Sequence, residues 1–511
     1  MPINWLQALN PRQALANVHV DILGDWYRDP WSWPELAWVT NKATDRLVER
    51  LNETGSGRVV LIDVPKENFI VRPALLLDPL DRLAYQSIVD RLSLDLIGPM
   101  HGWTYGWRLS RARATRGKYT KNSTEWKHYR SRLEWLATRM PFGLTTDIVS
   151  FFGSVDIERL AHDLQGVVRA DAIVGRLTDF LSSLQKLPAR SGLPQRCWAS
   201  SVLAHFYLRA VDDLLESNAH DFEAVGVTSP ATIRWMDDIW VFDEQSLPLR
   251  LLQLQLQDVL RERGLEMNGA KTVLYEGAEL AQKAKALEHS AVDQALGRDP
   301  EDDSLLKDLA AGLLSTPETA SRTSLRFAST RMRKAKSFDL VGEFVDRALR
   351  MPHAADHLAR LFRDSEAWRS LVGWYVTISK QHEISLTWTV YHLGTMFPSE
   401  SQPPAELASY WRDSLSAGQT PLLLVPLVTQ RLAAWNPAVA RPVFRAAAKL
   451  PTYEHPFALR ALALAGLRAG LDATEVRRFL GRFKENDLTL RYLEWVGMKA
   501  PNVAADFGGD Y

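Results

Sequence analysis

At 511 residues the chain exceeds one ordinary hydrophobic core, and about three domains or fewer are expected. Hydrophobic residues make up 46% and charged residues 24%, which excludes a disordered chain, and Lys+Arg and Asp+Glu balance at 61 each, so any basic surface is local. The single cysteine, Cys197, excludes an internal disulfide framework and a multi-Cys zinc site, and no leader-like opening or long uncharged apolar run is present, which points to a cytoplasmic protein with no membrane partner.

In chain order, Arg58–Val64 (RVVLIDV) reads as a strand and Asp78–Leu94 as a helix. Trp107–Arg139 then carries ten basic residues (Arg108, Arg111, Arg113, Arg116, Lys118, Lys121, Lys127, Arg130, Arg132, Arg139) against Glu125 and Glu134. Trp107, Tyr119, Trp126, Tyr129 and Trp135 are interleaved with them. Such a mixture suits a single-strand path, with phosphates neutralised by cations and bases stacked on rings; it also fits a solvated amphipathic helix with buried aromatics. Leu144–Val155 (LTTDIVSFFGSV) and Ile233–Phe242 read as strand-like segments, and Pro248–Gly264 as a helix. Gly297–Asp303 (GRDPEDD) has linker composition. Beyond it the pattern is helical throughout: Leu305–Leu314, Phe338–Arg350, Ala354–Phe362, Glu366–Gln381, Ala405–Leu415, Ala438–Lys449, Pro456–Ala469, Ala473–Phe483 and Leu488–Met498. A second basic cluster, Arg326–Lys336, opens this array, and the tail Phe507–Tyr511 is expected to be mobile.

The chemistry is concentrated in three carboxylates. Asp147 follows apolar and β-branched positions, and Asp237 and Asp238 are adjacent inside an otherwise apolar run (IRWMDDIWVFD). Two consecutive charges there are expensive unless a cation satisfies them. A tight hairpin whose tip carries the pair, beside a strand carrying the third acid, resolves the conflict. Such oxygen ligands suit Mg²⁺, and two ions about 4 Å apart can bind the attacking hydroxyl and the leaving pyrophosphate in phosphoryl transfer. Taken singly, an Asp-Asp pair in a loop is more often structural; the ordered set raises the significance.

That set resembles the palm of reverse transcriptases: TDIVSFF around Asp147, GLPQ (192–195) with Ser200 and Ser201 downstream, WMDD (235–238), and GLEMNGAKT (264–272). Upstream, Val64–Leu92 looks like the fingers of bacterial reverse transcriptases. The resemblance covers roughly residues 20–285 in five ordered motifs. It implies an α+β fold: fingers and palm over residues 1–285, a linker at 286–305, and an all-α repeat-like domain at 306–511 in place of the thumb.

The resemblance further implies that Asp147 and Asp237 ligate two Mg²⁺ ions, with Mn²⁺ as a substitute. The Ile148 carbonyl would be a further ligand and Asp238 a secondary acid. Lys66 and Arg72 would hold the triphosphate of an incoming dNTP, Phe152 would exclude a 2′-hydroxyl, Gln195 would touch the nascent pair, and Lys271 would sit near the pyrophosphate. For Lys66 and Lys271 a solvated lysine is an equal reading, and Trp235 serves either the primer end or packing. Arg108, Arg111, Arg113, Arg116, Lys118, Trp126 and Arg196 are the expected nucleic-acid contacts. Arg196 departs from the family, which usually has glycine after GLPQ.

A fingers-palm unit followed by helices looks like the abortive-infection and related defence-associated bacterial reverse transcriptases, and the segment Asp25–Leu36 fits that style. Some of that group are homo-oligomers that make single-stranded DNA without a template from a protein tyrosine. Tyr27 and Tyr511 are the candidates by position. Two alternatives are an RNA-templated enzyme working with a non-coding RNA, and a binding protein with a degenerate palm.

Overall fold

The computed structural model describes residues 3–507 apart from 111–115, 170, 188–191, 219–230, 286–288, 290–291, 294, 297–298, 300–301 and 382–385. Arg111, Arg113, Tyr511 and much of the expected linker lie outside the described residues. The fold is mixed α+β, mostly helical, with one small sheet and a separate hairpin.

The hairpin pairs β1 (Val60–Pro65) with β2 (Val71–Leu76). The sheet contains β3 (Thr104–Tyr105), β4 (Phe142–Thr146), β5 (Thr232–Trp235), β6 (Asp238–Asp243) and β7 (Val273–Glu276), in the order β3-β5-β6-β4-β7. Strand alternation builds its two faces. On β6, Ile239 and Val241 join one core with Leu144, the helix Pro79–Ile97 and the helix Trp198–Tyr207. Trp240 and Phe242 point the other way, into a smaller core with Tyr275, Leu133 and Leu280. Both faces are therefore covered, which is why β6 reads as a continuous apolar run between two acids. The helix Pro79–Ile97 starts where expected because the Asp78 carboxylate accepts from the Leu80 and Asp81 amides and proline follows it.

The segment read as strand over Leu144–Val155 changes character midway. β4 ends at Thr146, the chain turns, and Phe151–Ser154 is a short helix. Phe151 is buried at the head of that helix rather than on a strand.

From Ser304 to Trp495 the described residues form helices and no strand. Three helices escape a periodicity reading: Arg322–Ala335, Thr387–Gly394 and Val425–Trp435. The last buries every residue from Val425 to Ala433, so no polar stripe marks its period. The expectation of a mobile tail fails at its first residue. Phe507 lies under the guanidinium groups of Arg360 and Arg363, and Asp506 pairs with Arg363 and with buried Arg431.

The array's core is not made by the array alone. Trp26, Trp31, Ile62 and Val64 belong to it. Trp388 Nε1 and His392 Nε2 bind the Trp26 carbonyl at 2.8 and 3.0 Å, and the Tyr391 hydroxyl donates to the Arg28 carbonyl. The main clasp is Arg460, 3% exposed. It donates to Asp29 (2.8 Å), Glu35 (2.9 Å), the Ser32 carbonyl (2.9 Å) and Thr489 (3.0 Å), and it stacks 3.5 Å over Trp33. Replacing Arg460 with Met strands two buried carboxylates. Arg460→Met is expected to cost about 3–5 kcal/mol in denaturant unfolding; a loss under about 1 kcal/mol would show that the clasp contributes little.

Candidate active site

Antiparallel register brings the acids together. Trp235 pairs with Asp238 across a two-residue turn, Met236–Asp237, so Asp237 stands at the tip of the β5–β6 hairpin. Met236 takes a positive φ of 55°, which a bulky residue adopts only when its surroundings hold it. The holding group is Arg234, fully buried behind the turn. Its Nη1 donates to the Met236 carbonyl at 2.7 Å, and its other nitrogens fork onto Asp212, Nε at 2.7 Å. On the neighbouring strand Thr146 pairs with Ile239, which leaves Asp147 abreast of Asp238 at the end of β4.

Register therefore makes Asp147 a neighbour of both hairpin acids, and its charge acts on Asp237 and on Asp238. Enclosure by protein, then the charges of Asp238 and Asp147, push Asp237 up to about 7. Enclosure and Asp147 push Asp238 up to about 6, against the pull of Lys271. Asp238 itself opens to solvent and Asp237 is half-buried. Lys271 Nζ lies 2.8 Å from Asp147 Oδ2, and Asn268 Nδ2 donates to the same oxygen at 3.1 Å. Burial lowers the Lys271 pKa, but its bond to Asp147 and the charges of Asp147, Asp238 and Asp237 together raise it more, so the ammonium is held charged.

The donor set fits a hard cation: neighbouring carboxylates whose repulsion a divalent ion relieves. Among the described residues no three Asp, Glu, His or Cys side chains enclose an ion, so a third ligand must come from elsewhere. Ile148 bridges Met267 through its neighbours: Asn268 donates to the Asp147 carbonyl and Val149 to the Glu266 carbonyl. That pattern turns the Ile148 carbonyl away from the bridge.

The GLPQ loop reaches the same place. Leu193 N binds the Phe152 carbonyl at 2.7 Å, and a Cβ on Gly192, at φ +70°, would lie 2.0 Å from that oxygen. Glycine is required there by contact as well as by φ. Phe152 is half-buried beside Phe151, and Gln195 is half-buried in the turn. Arg196 follows at φ 56°, so it keeps a glycine-like backbone while carrying a long side chain, 4.3 Å over the Trp26 ring.

The cations expected of the hairpin lie on the same side. Burial, then Arg72 and Lys271, lower the Lys66 pKa; burial lowers that of Arg72, with Asp237 the largest opposing charge. Among the expected nucleic-acid contacts, Trp126 is 43% exposed and packs edge-on to Trp235 at 4.9 Å, next to the acids, and Lys118 is exposed. Arg108 instead turns inward to the Thr104 and His101 carbonyls and Glu125, and Arg116 pairs with Asp95. Tyr27 is not accessible: it is 5% exposed, its ring 4.6 Å from Tyr391 and 5.5 Å from Phe457.

Sequence reading missed Arg234, Asp212, Asn268 and Trp26. A charge between apolar residues in IRWMDD was the available signal for Arg234. Nothing local marks Asp212, whose partner lies 22 residues away.

No family model and no curated protein matches the sequence. Among solved structures, telomerase from Candida albicans in complex with the TWJ fragment of telomeric RNA is similar at 11% identity and a TM-score of 0.29, over 90% of this chain and 68% of that one. At that score the likeness carries no argument.

Arg234 supports the hairpin turn through a buried ion pair, so removing one partner leaves a bare charge. Arg234→Met should cost about 3–5 kcal/mol in thermal or denaturant unfolding, and Asp212→Leu in the same chain should restore much of it. Additive losses in the double variant would show that the pair is not coupled.

Proposed function

We propose that this chain is a DNA-synthesising nucleotidyltransferase of the reverse-transcriptase type, serving in anti-phage defence. The observation that carries the chemistry is the register that sets Asp147, at the end of β4, beside the Asp237–Asp238 pair at the hairpin tip, with Lys271 bound to Asp147 and exposed Trp126 packed on Trp235 next to the pair. The defence assignment rests on the motif order and the Asp25–Leu36 segment alone.

In this reading Asp147 and Asp237 hold two divalent cations with the Ile148 carbonyl, and Asp238 adds negative charge at the rim. When bound, Mg²⁺ or Mn²⁺ supplies activation of a 3′-hydroxyl and neutralisation of the leaving pyrophosphate. Lys66 and Arg72 bind the triphosphate, the fork of Arg72 matching phosphate oxygens. Phe152 lies under the sugar and closes the space of a 2′-hydroxyl. Trp126 and Trp235 offer a stacking surface for the strand being extended. Lys271, held protonated at Nζ, is placed to donate a proton toward the leaving group. Synthesis without a template is proposed from Arg196, which replaces the glycine that the family usually has after GLPQ. Burial of Tyr27 favours extension of a supplied 3′ end over priming from that residue.

Purified protein incubated with Mg²⁺ and labelled dNTPs, with and without ribonuclease, should yield DNA whose sequence copies no RNA. Asp237→Asn should lower the rate by about 10³-fold or more. Phe152→Ala should admit ribonucleotides. No product from the wild type, or wild-type rates from Asp237→Asn, would sink the reading; DNA copying a bound RNA would sink its untemplated part.

A further inference from the structure

Around Trp26 the structure gathers more positive charge than the described residues neutralise. Three guanidinium groups approach this one ring, Arg196 at 4.3 Å, Arg72 at 5.3 Å and Arg322 at 5.9 Å from its centroid. They come from three parts of the chain: the GLPQ turn, β2, and the first turn of the array helix Arg322–Ala335. Arg322 pairs with Asp356 at 2.7 Å. Among the described residues neither Arg72 nor Arg196 forms an ion pair, and more than a third of Arg196 is open to solvent. Like charges crowd one another here: Arg322 and Arg72 both depress Arg196, after burial, to about 10. An anionic ligand would relieve this crowding.

A cavity of about 100 Å³ opens beside the ring, lined by Trp26, Lys66, Glu67, Arg72, Arg322 and His353 among others. Two of its lining residues carry buried polar atoms without a partner among the described residues, Trp26 Nε1 and His353 Nδ1. His353 Nε2 binds the Ala320 carbonyl at 2.9 Å, so Nδ1 is the nitrogen left over. The Trp26 N–H is a buried donor left for an anionic oxygen, whereas His353 Nδ1, an acceptor in the neutral ring, calls for a donor such as ordered water. The wall is built as one piece: Asn68 N binds the Glu318 carbonyl at 2.8 Å, and Arg322 N binds Glu67 Oε1 at 3.1 Å, so the β1–β2 loop is docked on the array. Arg72 in the cavity wall also feels the charges of Asp237 and Asp147.

We propose that the helical array completes the triphosphate pocket: Arg322, with Arg196 and the Trp26 platform, binds the β- and γ-phosphates of an incoming nucleoside triphosphate together with Lys66 and Arg72. The proposal rests on the polymerase reading for the identity of the nucleotide, while the phosphate site rests on the charge cluster and cavity. A guanidinium has five donors, and those of Arg322 that Asp356 and the His353 carbonyl leave over remain for phosphate oxygens. The array is then part of the active site, and nucleotide binding depends on its docking against the β1–β2 loop.

The test uses the full chain and sodium tripolyphosphate in EDTA, followed by calorimetry. Arg196→Gly removes a guanidinium at a backbone position that suits glycine, and Arg322→Lys keeps the charge facing Asp356 while losing the fork; circular dichroism checks both folds. Each should weaken tripolyphosphate binding by roughly tenfold to a hundredfold, and each should raise the KM for dNTP more than it lowers kcat. Asp237→Asn should bind tripolyphosphate at least as well as the wild type. Folded variants that bind within twofold of wild type, or a wild type that binds no tripolyphosphate, would overturn the proposal. If wild type makes no DNA but tripolyphosphate binding still depends on Arg196 and Arg322, the polymerase reading falls and the phosphate site stands.

Discussion

Everything near the sheet answers one electrostatic demand: two carboxylates, Asp147 and Asp237, must be held as neighbours. Left to themselves they would separate, since nearby like charges disfavour one another's ionised form. The fold prevents this with rigid parts. Strand register fixes Asp147 beside the hairpin, Arg234 locks the turn from behind through Asp212, and Lys271 and Asn268 hold Asp147 from the front. None of these groups removes the repulsion. Lys271 offsets part of it, yet Asp237 and Asp238 stay pushed up, and a divalent ion would offset the rest.

Positive charge is arranged by the same logic at longer range. Arg72 on the β1–β2 hairpin, Arg196 after the GLPQ turn and Arg322 on the array converge on Trp26, and the charges of Arg72 and Lys66 reach the acids. A sequence with equal numbers of acidic and basic residues thus carries a local dipole, anionic at the hairpin tip and cationic around Trp26. Global neutrality concealed it.

Legibility followed the range of the interactions. Hairpin β5–β6 with acids at its tip was readable because the conflict between charge and apolar flanks is local. The Asp78 cap and the glycine at 192 were readable for the same reason. Of the three array helices that were not, Thr387–Gly394 and Val425–Trp435 are buried along most of their length and lose the polar stripe that reveals a period. Phe151 was read onto a strand because an apolar run cannot distinguish a strand from the turn and helix that continue it. Tyr27 looked accessible by its position near one end of the chain, yet partners more than 360 residues away bury it. Arg196 was flagged as a departure from a glycine position; its left-handed backbone is what such a position imposes.

Those distant partners have a temporal consequence. Trp26 and Trp31 belong to the core of the array, the Trp26 carbonyl is held by Trp388 and His392, and Arg460 meets Glu35 across 425 residues. At ribosomal speeds the interval between making the two sides is on the order of half a minute. For that time the aromatic segment lacks its array partners, and Asp29 and Glu35 lack Arg460. The basic wall around Trp26 cannot assemble before the array does, so a nascent or truncated chain would carry its acids without the arginine that the array brings to their side.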